Sequence, residues 1–223
     1  MDVAEALKSR ISTRAFLDTP VGKDQLREIL DEARYAASGG NVQPWRVVAV
    51  SGEARTRVME AVQNKLAENP LENEADFPVY PEKLWEPYRS RRFEVGEDMY
   101  ALMGVPREDK GARLAWLMQN YEFFGAPVGL FFAIDERMNK NQWAHLGMFM
   151  MSIALSAEAK GLATCFQEAW TPHCKTVAEA IGVEAPYIVY CGMAVGHADP
   201  DATVNQLRSR RAEVEEFAQF EGF

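Results

Sequence analysis

The chain has 223 residues, is 48% hydrophobic and carries a formal net charge of -9. That is enough apolar material for one compact domain, and the wrong sign for a general nucleic-acid binder. No apolar run reaches the length of a membrane span, Met1 to Lys8 is acidic and amphipathic rather than a secretory signal, and Cys165, Cys174 and Cys191 lack metal-ligand spacing, so reduced thiols in a cytoplasm are the simplest reading.

Taken in chain order, Asp2 to Arg10 reads as a short helix and Val21 to Ala37 as a longer one, with Leu26, Ile29, Leu30 and Ala33 at helical spacing. Ser38-Gly39-Gly40-Asn41 breaks the pattern, and Trp45 to Val50 reads as a valine-rich strand. Glu53 to Leu66 is helical again. Residues 69–100 differ in composition, with Pro70, Pro78, Pro81 and Pro87 among Phe77, Tyr80, Trp85, Tyr88 and Phe93. So long and weakly regular a segment reads as a lid or packed excursion, and its aromatic content argues against full disorder. Arg107 to Phe124 looks helical, Ala126 to Ile134 is a buried strand, and Asn141 to Lys160 is an apolar helix closed by Gly161 at the C′ position. Met148, Met150 and Met151 on it read as core filling. Ala163 to Gln167 and Ile188 to Val195 are further strands, with a short helix at Cys174 to Ile181 between them. From Asn205 an arm carries arginines and then an acidic, aromatic end, Glu213 to Phe223. No internal repeat is present. The fold class expected is α+β: a mixed central sheet flanked by helices, one domain over 1–223 with an excursion at about 69–100 and an arm at about 205–223.

Four segments carry binding chemistry. In an extended Arg10-Ile11-Ser12-Thr13-Arg14, alternation puts Arg10, Ser12 and Arg14 on one side, a site for phosphate or an electron-rich heterocycle edge; a solvated basic turn fits the same residues. In Ser38-Gly39-Gly40-Asn41-Val42-Gln43, glycines allow close backbone approach while Asn41 and Gln43 offer amides to hydroxyls or a uracil-like edge; an ordinary helix-to-strand loop is the alternative. Thr164 to Trp170 marks the end of a buried strand, where a backbone N–H can bond a ligand atom, Glu168 can act as a base, and Cys165 reads as a buried inert thiol. Arg208 and Arg210 fall on one side of an extended arm and, with Arg211, concentrate positive charge; a solvated charge run is the alternative. His145, His173 and His197 have no ligand spacing and read as structural. No nucleophile elbow, zinc motif or dinucleotide fingerprint occurs. Binding groups without amino-acid catalytic machinery point to a cofactor that does the chemistry.

Together, and in this order, Arg10 to Arg14, Ser38 to Trp45, Gly161 to Trp170 and Arg208 to Arg210 resemble the FMN-dependent nitroreductase family; Tyr88 to Arg92 and Asn120 to Pro127 resemble a bacterial branch of it. The resemblance implies FMN as bound cofactor and NAD(P)H as hydride donor to nitroaromatic, quinone or similar small acceptors. It implies that Arg10, Arg208 and Arg210 hold the phosphate, Ser12 assists there, and Arg14 faces the N1–C2 carbonyl edge of the flavin. Glu168 and Ala169, the latter where the family often has Gly, would present N–H groups near flavin N5. Ser38, Gly39, Gly40, Asn41 and Gln43 would come from the partner subunit of a homodimer with C-terminal exchange. The family often sets an Asn and a Lys against the pyrimidine; Asn64 and Lys65 lack the spacing for that role. Trp85 and Tyr88 of the lid are candidate acceptor contacts. Two alternatives stay open: a reductive dehalogenase, with Lys83, Glu86 and Tyr88 in the lid, and a flavin-binding or redox-sensing protein without turnover. The expectation includes no metal, no nucleic acid and no membrane association.

Overall fold

The computed structural model describes residues 1–223. Its elements in chain order are α1 (Val3–Ser9), β1 (Phe16–Leu17), α2 (Lys23–Ala33), β2 (Trp45–Ser51), α3 (Gly52–Glu68), α4 (Tyr88–Leu102), α5 (Lys110–Met118), β3 (Val128–Asp135), α6 (Lys140–Ala159), β4 (Ala163–Gln167), α7 (Cys174–Ile181) and β5 (Tyr187–Ala198).

The sheet explains why Val128 to Asp135 reads as an unbroken apolar run. Every residue of β3 is buried, and alternation sends them to opposite faces. Leu130, Phe132 and Ile134 pack with α2 and α6 through Ile29, Leu146, Phe149 and Ile153. Phe131 and Ala133 pack on the other face with α3 and α7 through Val58, Val62 and Val177. Across the middle the strands run β2-β3-β5-β4, with β1 joined to the far end of β5. All these ladders are antiparallel, and the parallel contribution to the expected mixed sheet is a single isolated bridge, Ser12 to Thr164. An apolar run shows that a strand is covered on both faces, not which way its neighbours point.

The register of β3 against β5 slips between Phe132 and Ala133, whose partners are Cys191 and Val189. Tyr190 is therefore the extra residue of a β-bulge, a device that re-aims one side chain. At the end of α6 the N–H of Leu162 donates to the Ala157 carbonyl and the N–H of Gly161 to that of Glu158, with Gly161 at φ +75°. This is a Schellman closure, and it needs a residue tolerant of the left-handed region.

The excursion is more ordered than its composition suggests. Glu74 accepts from the backbone N–H of Lys175 and Thr176 and from the Thr176 hydroxyl, and the Phe77 ring meets Trp143 edge-on. From Tyr88 the chain is helical for fifteen residues, none of them buried. With no apolar stripe, α4 had no helical signature to read. The helix expected over Arg107 to Phe124 instead ends at Met118 and continues as tight turns through Gly125, where Phe123 and Phe124 take positive φ. No helix is long and apolar enough to cross a membrane.

Candidate cofactor site

The N-terminal segment after α1 runs extended beside β4, fixed by the Ser12–Thr164 bridge and by the Thr13 N–H donating to the Thr164 carbonyl at 3.0 Å. Thr13 turns inward and is buried, so Arg10, Ser12 and Arg14 share the outer side, as alternation predicts. They line a cavity of about 390 Å³ together with Arg208, Ser209 and Arg211 of the arm and Val95 of α4. Asn205 joins the two segments: its Oδ1 accepts from the Arg14 N–H at 2.8 Å, and its Nδ2 donates to the carbonyls of Ala15 and Asp199.

Inside this cradle the Nε and Nη1 of Arg10 are buried without a hydrogen-bond partner. Burial first, and then the nearby Arg211 guanidinium, push the Arg10 pKa below its ordinary value. Glu158 offsets only part of this, and a phosphate oxygen supplies both further negative charge and the missing acceptors.

One expected member lies elsewhere. Arg210 does not share the side of Arg208; its guanidinium pairs with Glu94 and Asp98 of α4. Arg211 takes the place in the cradle instead. The alternation argument assumed a straight strand, whereas the arm is irregular here, with Arg208 donating back to the Asn205 and Leu207 carbonyls.

From the Ser12–Thr164 bridge, β4 leads four residues on to Glu168, about 13 Å at strand rise. There it opens into a cavity of about 760 Å³ whose floor is Phe166, Gln167, Glu168 and Ala169. The turn at Glu168 and Ala169 is held from several sides. Gln167 Nε2 donates to the Asn120 carbonyl at 2.8 Å, Trp170 Nε1 to Gln167 Oε1 at 3.3 Å, and the Tyr121 hydroxyl to the Ala169 carbonyl at 3.1 Å. The bulged Tyr190 donates its hydroxyl to Glu168 Oε1 at 3.2 Å, while its carbonyl accepts from Thr171. Trp170 lies flat on Gly192, where a Cβ would sit 2.5 Å from the indole, so only glycine permits this packing. Ala169 is outside the left-handed region, so alanine is unstrained where the family often has glycine. Cys165 is buried beneath, its thiol pushed up to about 11 by desolvation, which keeps it protonated and inert.

Several residues of this cavity escaped the sequence reading: Tyr80, Arg92, Asn120, Tyr121 and Tyr190. Asn120 and Tyr121 lie in a segment singled out for its resemblance, without a role attached to them. Trp85 and Tyr88 line neither cavity; they pack edge-to-face on each other, both exposed. A proline-rich stretch does not show which of its aromatics turns inward. Lys65 pairs with Glu72 and Glu74, and Asn64 is exposed.

The loop Ser38 to Gln43 stands apart from both cavities. It is fastened to the first turns of α6 by the Gly39 N–H donating to His145 Nδ1, while Glu158 near the other end of α6 is the one beside Arg10. Those two positions are roughly thirteen residues apart, about 20 Å along the axis. Asn41 and Gln43 hold positive φ, 55° and 51°, with both residues exposed. Such strain on non-glycine residues persists where the surroundings demand it and clusters at ligand sites.

An arginine cradle, the edge strand β4 leading from it, and a braced turn over an aromatic pocket define an α+β protein built to hold an elongated anionic cofactor. The comparisons agree: the family model described as "Nitroreductase family" matches residues 7–197, and the chain belongs to that family. It is 34% identical over its whole length to a 4-nitrobenzoate reductase of Pseudomonas putida, covering 96% of that protein, and 33% identical over 98% of its length to a nitrobenzene nitroreductase of Ectopseudomonas oleovorans, again covering 96%. Among solved structures it superposes on the FMN and NADPH-dependent nitroreductase NfnB from Sphigopyxis sp. strain HMH with a TM-score of 0.97 and 40% identity, both chains fully covered. The FMN-dependent NfnB of Mycobacterium smegmatis, solved in complex with NADPH, gives 0.91 and 31%, with 99% of this chain and 100% of that one covered.

Proposed function

We infer that the protein is an FMN-dependent oxidoreductase that takes hydride from NAD(P)H and reduces nitroaromatic, quinone or similar small acceptors. The observation that carries the reading is Arg10, with two buried N–H groups and no acceptor, at the head of a strand edge that ends at the Glu168–Ala169 turn. Relatives that match over nearly the full chain are named 4-nitrobenzoate reductase and nitrobenzene nitroreductase, and two of the solved ones are FMN-dependent.

In this reading Arg10, Arg208 and Arg211 hold the phosphate with Ser12, Arg14 faces the flavin carbonyl edge, and the N–H groups of Glu168 and Ala169 meet the reactive face. Arg210 acts on the lid instead of the phosphate. When bound, FMN would supply two-electron chemistry between the nicotinamide donor and the acceptor. The chain's own work is positional: cations offset the phosphate, Arg14 favours a reduced, anionic ring, and Tyr121 and Tyr190 brace the turn that contacts it. The apolar walls keep water from the reacting face.

The loop Ser38 to Gln43 completes the site from a second copy of the chain, because within one chain it is fastened to the far end of α6. Exposed Met148 on α6 and Phe217, Phe220 and Phe223 at the end of the arm supply apolar surface for such a homodimer. The chain is one domain, with residues 69–100 as its lid and 205–223 as the arm exchanged between subunits. Three unpaired cysteines suit a cytoplasmic setting. A dehalogenase that reads a zwitterion through Glu86 is disfavoured, since that carboxylate is already bound by Arg89 and Ser90.

Chromatography of the cofactor released on denaturation, with steady-state NAD(P)H oxidation against nitrobenzene and a quinone, tests the reading. FMN at one per chain with turnover is expected. FAD, or a flavin that neither nicotinamide reduces, overturns it.

A further inference from the structure

The pocket above the Glu168–Ala169 turn has a direction. Of its lining side chains two are charged: Glu168 at the strand end and Arg92 on the lid helix. The walls between them are apolar and aromatic, among them Phe166 and Met150. Arg92 lies three residues before Val95, which reaches the arginine cradle, so one face of α4 spans both cavities. The neighbouring lid arginines are committed, Arg89 to Glu86 and Arg91 to Glu216. Arg92 makes no ion pair. Its guanidinium carbon sits 4.3 Å over the Tyr80 ring, which fixes the plane of the fork and leaves its N–H edge free.

We propose that Arg92 recognises a carboxylate on an aromatic acceptor and turns the opposite end of the ring toward the Glu168–Ala169 turn. This rests on the reading of the cavity as the acceptor site of a flavin reductase. An anionic substituent is repelled by Glu168 and attracted by Arg92, so a para-substituted nitroaromatic acid binds with its carboxylate at the lid. Its neutral nitro group then lies over the braced turn. A neutral nitroaromatic gains nothing from Arg92 and binds through the walls alone. The dinucleotide donor also carries anionic groups, and its phosphates are the competing source of the same chemistry.

The test uses the flavin-loaded protein, with Arg92→Gln to remove the charge and Arg92→Lys to keep charge without the planar fork. Binding of benzoate and of neutral benzamide is measured by calorimetry, a readout independent of turnover. Arg92→Gln should weaken benzoate about tenfold, about 1.4 kcal/mol, and leave benzamide within about twofold. Arg92→Lys should fall between. The kcat/KM ratio of 4-nitrobenzoate to nitrobenzene should drop in parallel, while flavin reduction by NADPH and by NADH each stays within about twofold. Equal losses for benzoate and benzamide, or none, overturn the proposal, and a loss in flavin reduction by both donors, or by NADPH alone, with benzoate binding unchanged assigns Arg92 to the donor's pyrophosphate or 2′-phosphate instead. A protein that reduces neither nitro compound refutes the functional reading, and the benzoate-to-benzamide comparison still decides the role of Arg92.

Discussion

Replacing Arg10 with methionine separates ligand binding from stability, because the two should move in opposite directions. Methionine keeps the aliphatic stem and removes a cation whose Nε and Nη1 are buried without partners. In the flavin-bound protein those groups donate to phosphate; hydrogen bonds of this charged kind contribute about 1.5 kcal/mol each at the low end, so losing the pair costs about 3 kcal/mol. That is roughly a hundredfold in the Kd for FMN. In the flavin-free protein the same groups are an unpaired buried donor pair beside Arg211, and their removal should stabilise by about 1 kcal/mol, raising Tm by about 2–4 °C for a chain of this size. The assay strips the flavin, titrates FMN back by quenching of its fluorescence, and melts both flavin-free proteins in one buffer. Raising the salt should change the gap in Kd little, since a buried charged contact is screened much less than an exposed one. A Kd within about threefold of the parent, or a flavin-free variant that melts lower, would refute the anion-cradle argument and make Arg10 a structural residue.

Arg211→Ala should weaken FMN by about fivefold, as loss of one exposed charge contact does, and Arg210→Ala by less than about twofold, because Arg210 faces Glu94 and Asp98; the reverse order in a fluorescence titration would restore the alternating arrangement of Arg208 and Arg210. Deleting Glu213 to Phe223 removes Phe217, Phe220 and Phe223, which are 71%, 67% and 107% exposed in the single chain, and should raise the dimer dissociation constant by about a hundredfold with parallel loss of flavin; a truncated protein that stays dimeric by light scattering with full occupancy would show that the arm is not the clasp. Cys165 should resist iodoacetamide at pH 8 until the protein unfolds, since its pKa is raised to about 11 and the protonated, buried thiol is no nucleophile; mass-spectrometric labelling of the folded protein at that site would contradict this.

The sequence determined what is local and periodic. The unbroken run of β3, the apolar α6 with Gly161 closing it, and the short α7 were legible because burial on one or two faces writes a period of two or 3.6 into the residues themselves. That Arg10, Ser12 and Arg14 share one cavity was legible as well, since they alternate on a stretch that is extended. The helix Tyr88–Leu102 was not, because it buries no side chain and so leaves no stripe to read. Nor was it legible that Arg211 rather than Arg210 lines the first cavity, or Tyr80 and Arg92 rather than Trp85 and Tyr88 the second. Those choices turn on Glu94 and Asp98 reaching the arm and on α4 crossing two cavities, contacts between segments about a hundred residues apart. The bulge that aims Tyr190 at Glu168 is likewise a matter of register between β3 and β5. A chain carries its periodicities within itself, but the direction of an irregular side chain is fixed by the neighbour it meets, and only the tertiary structure supplies that neighbour.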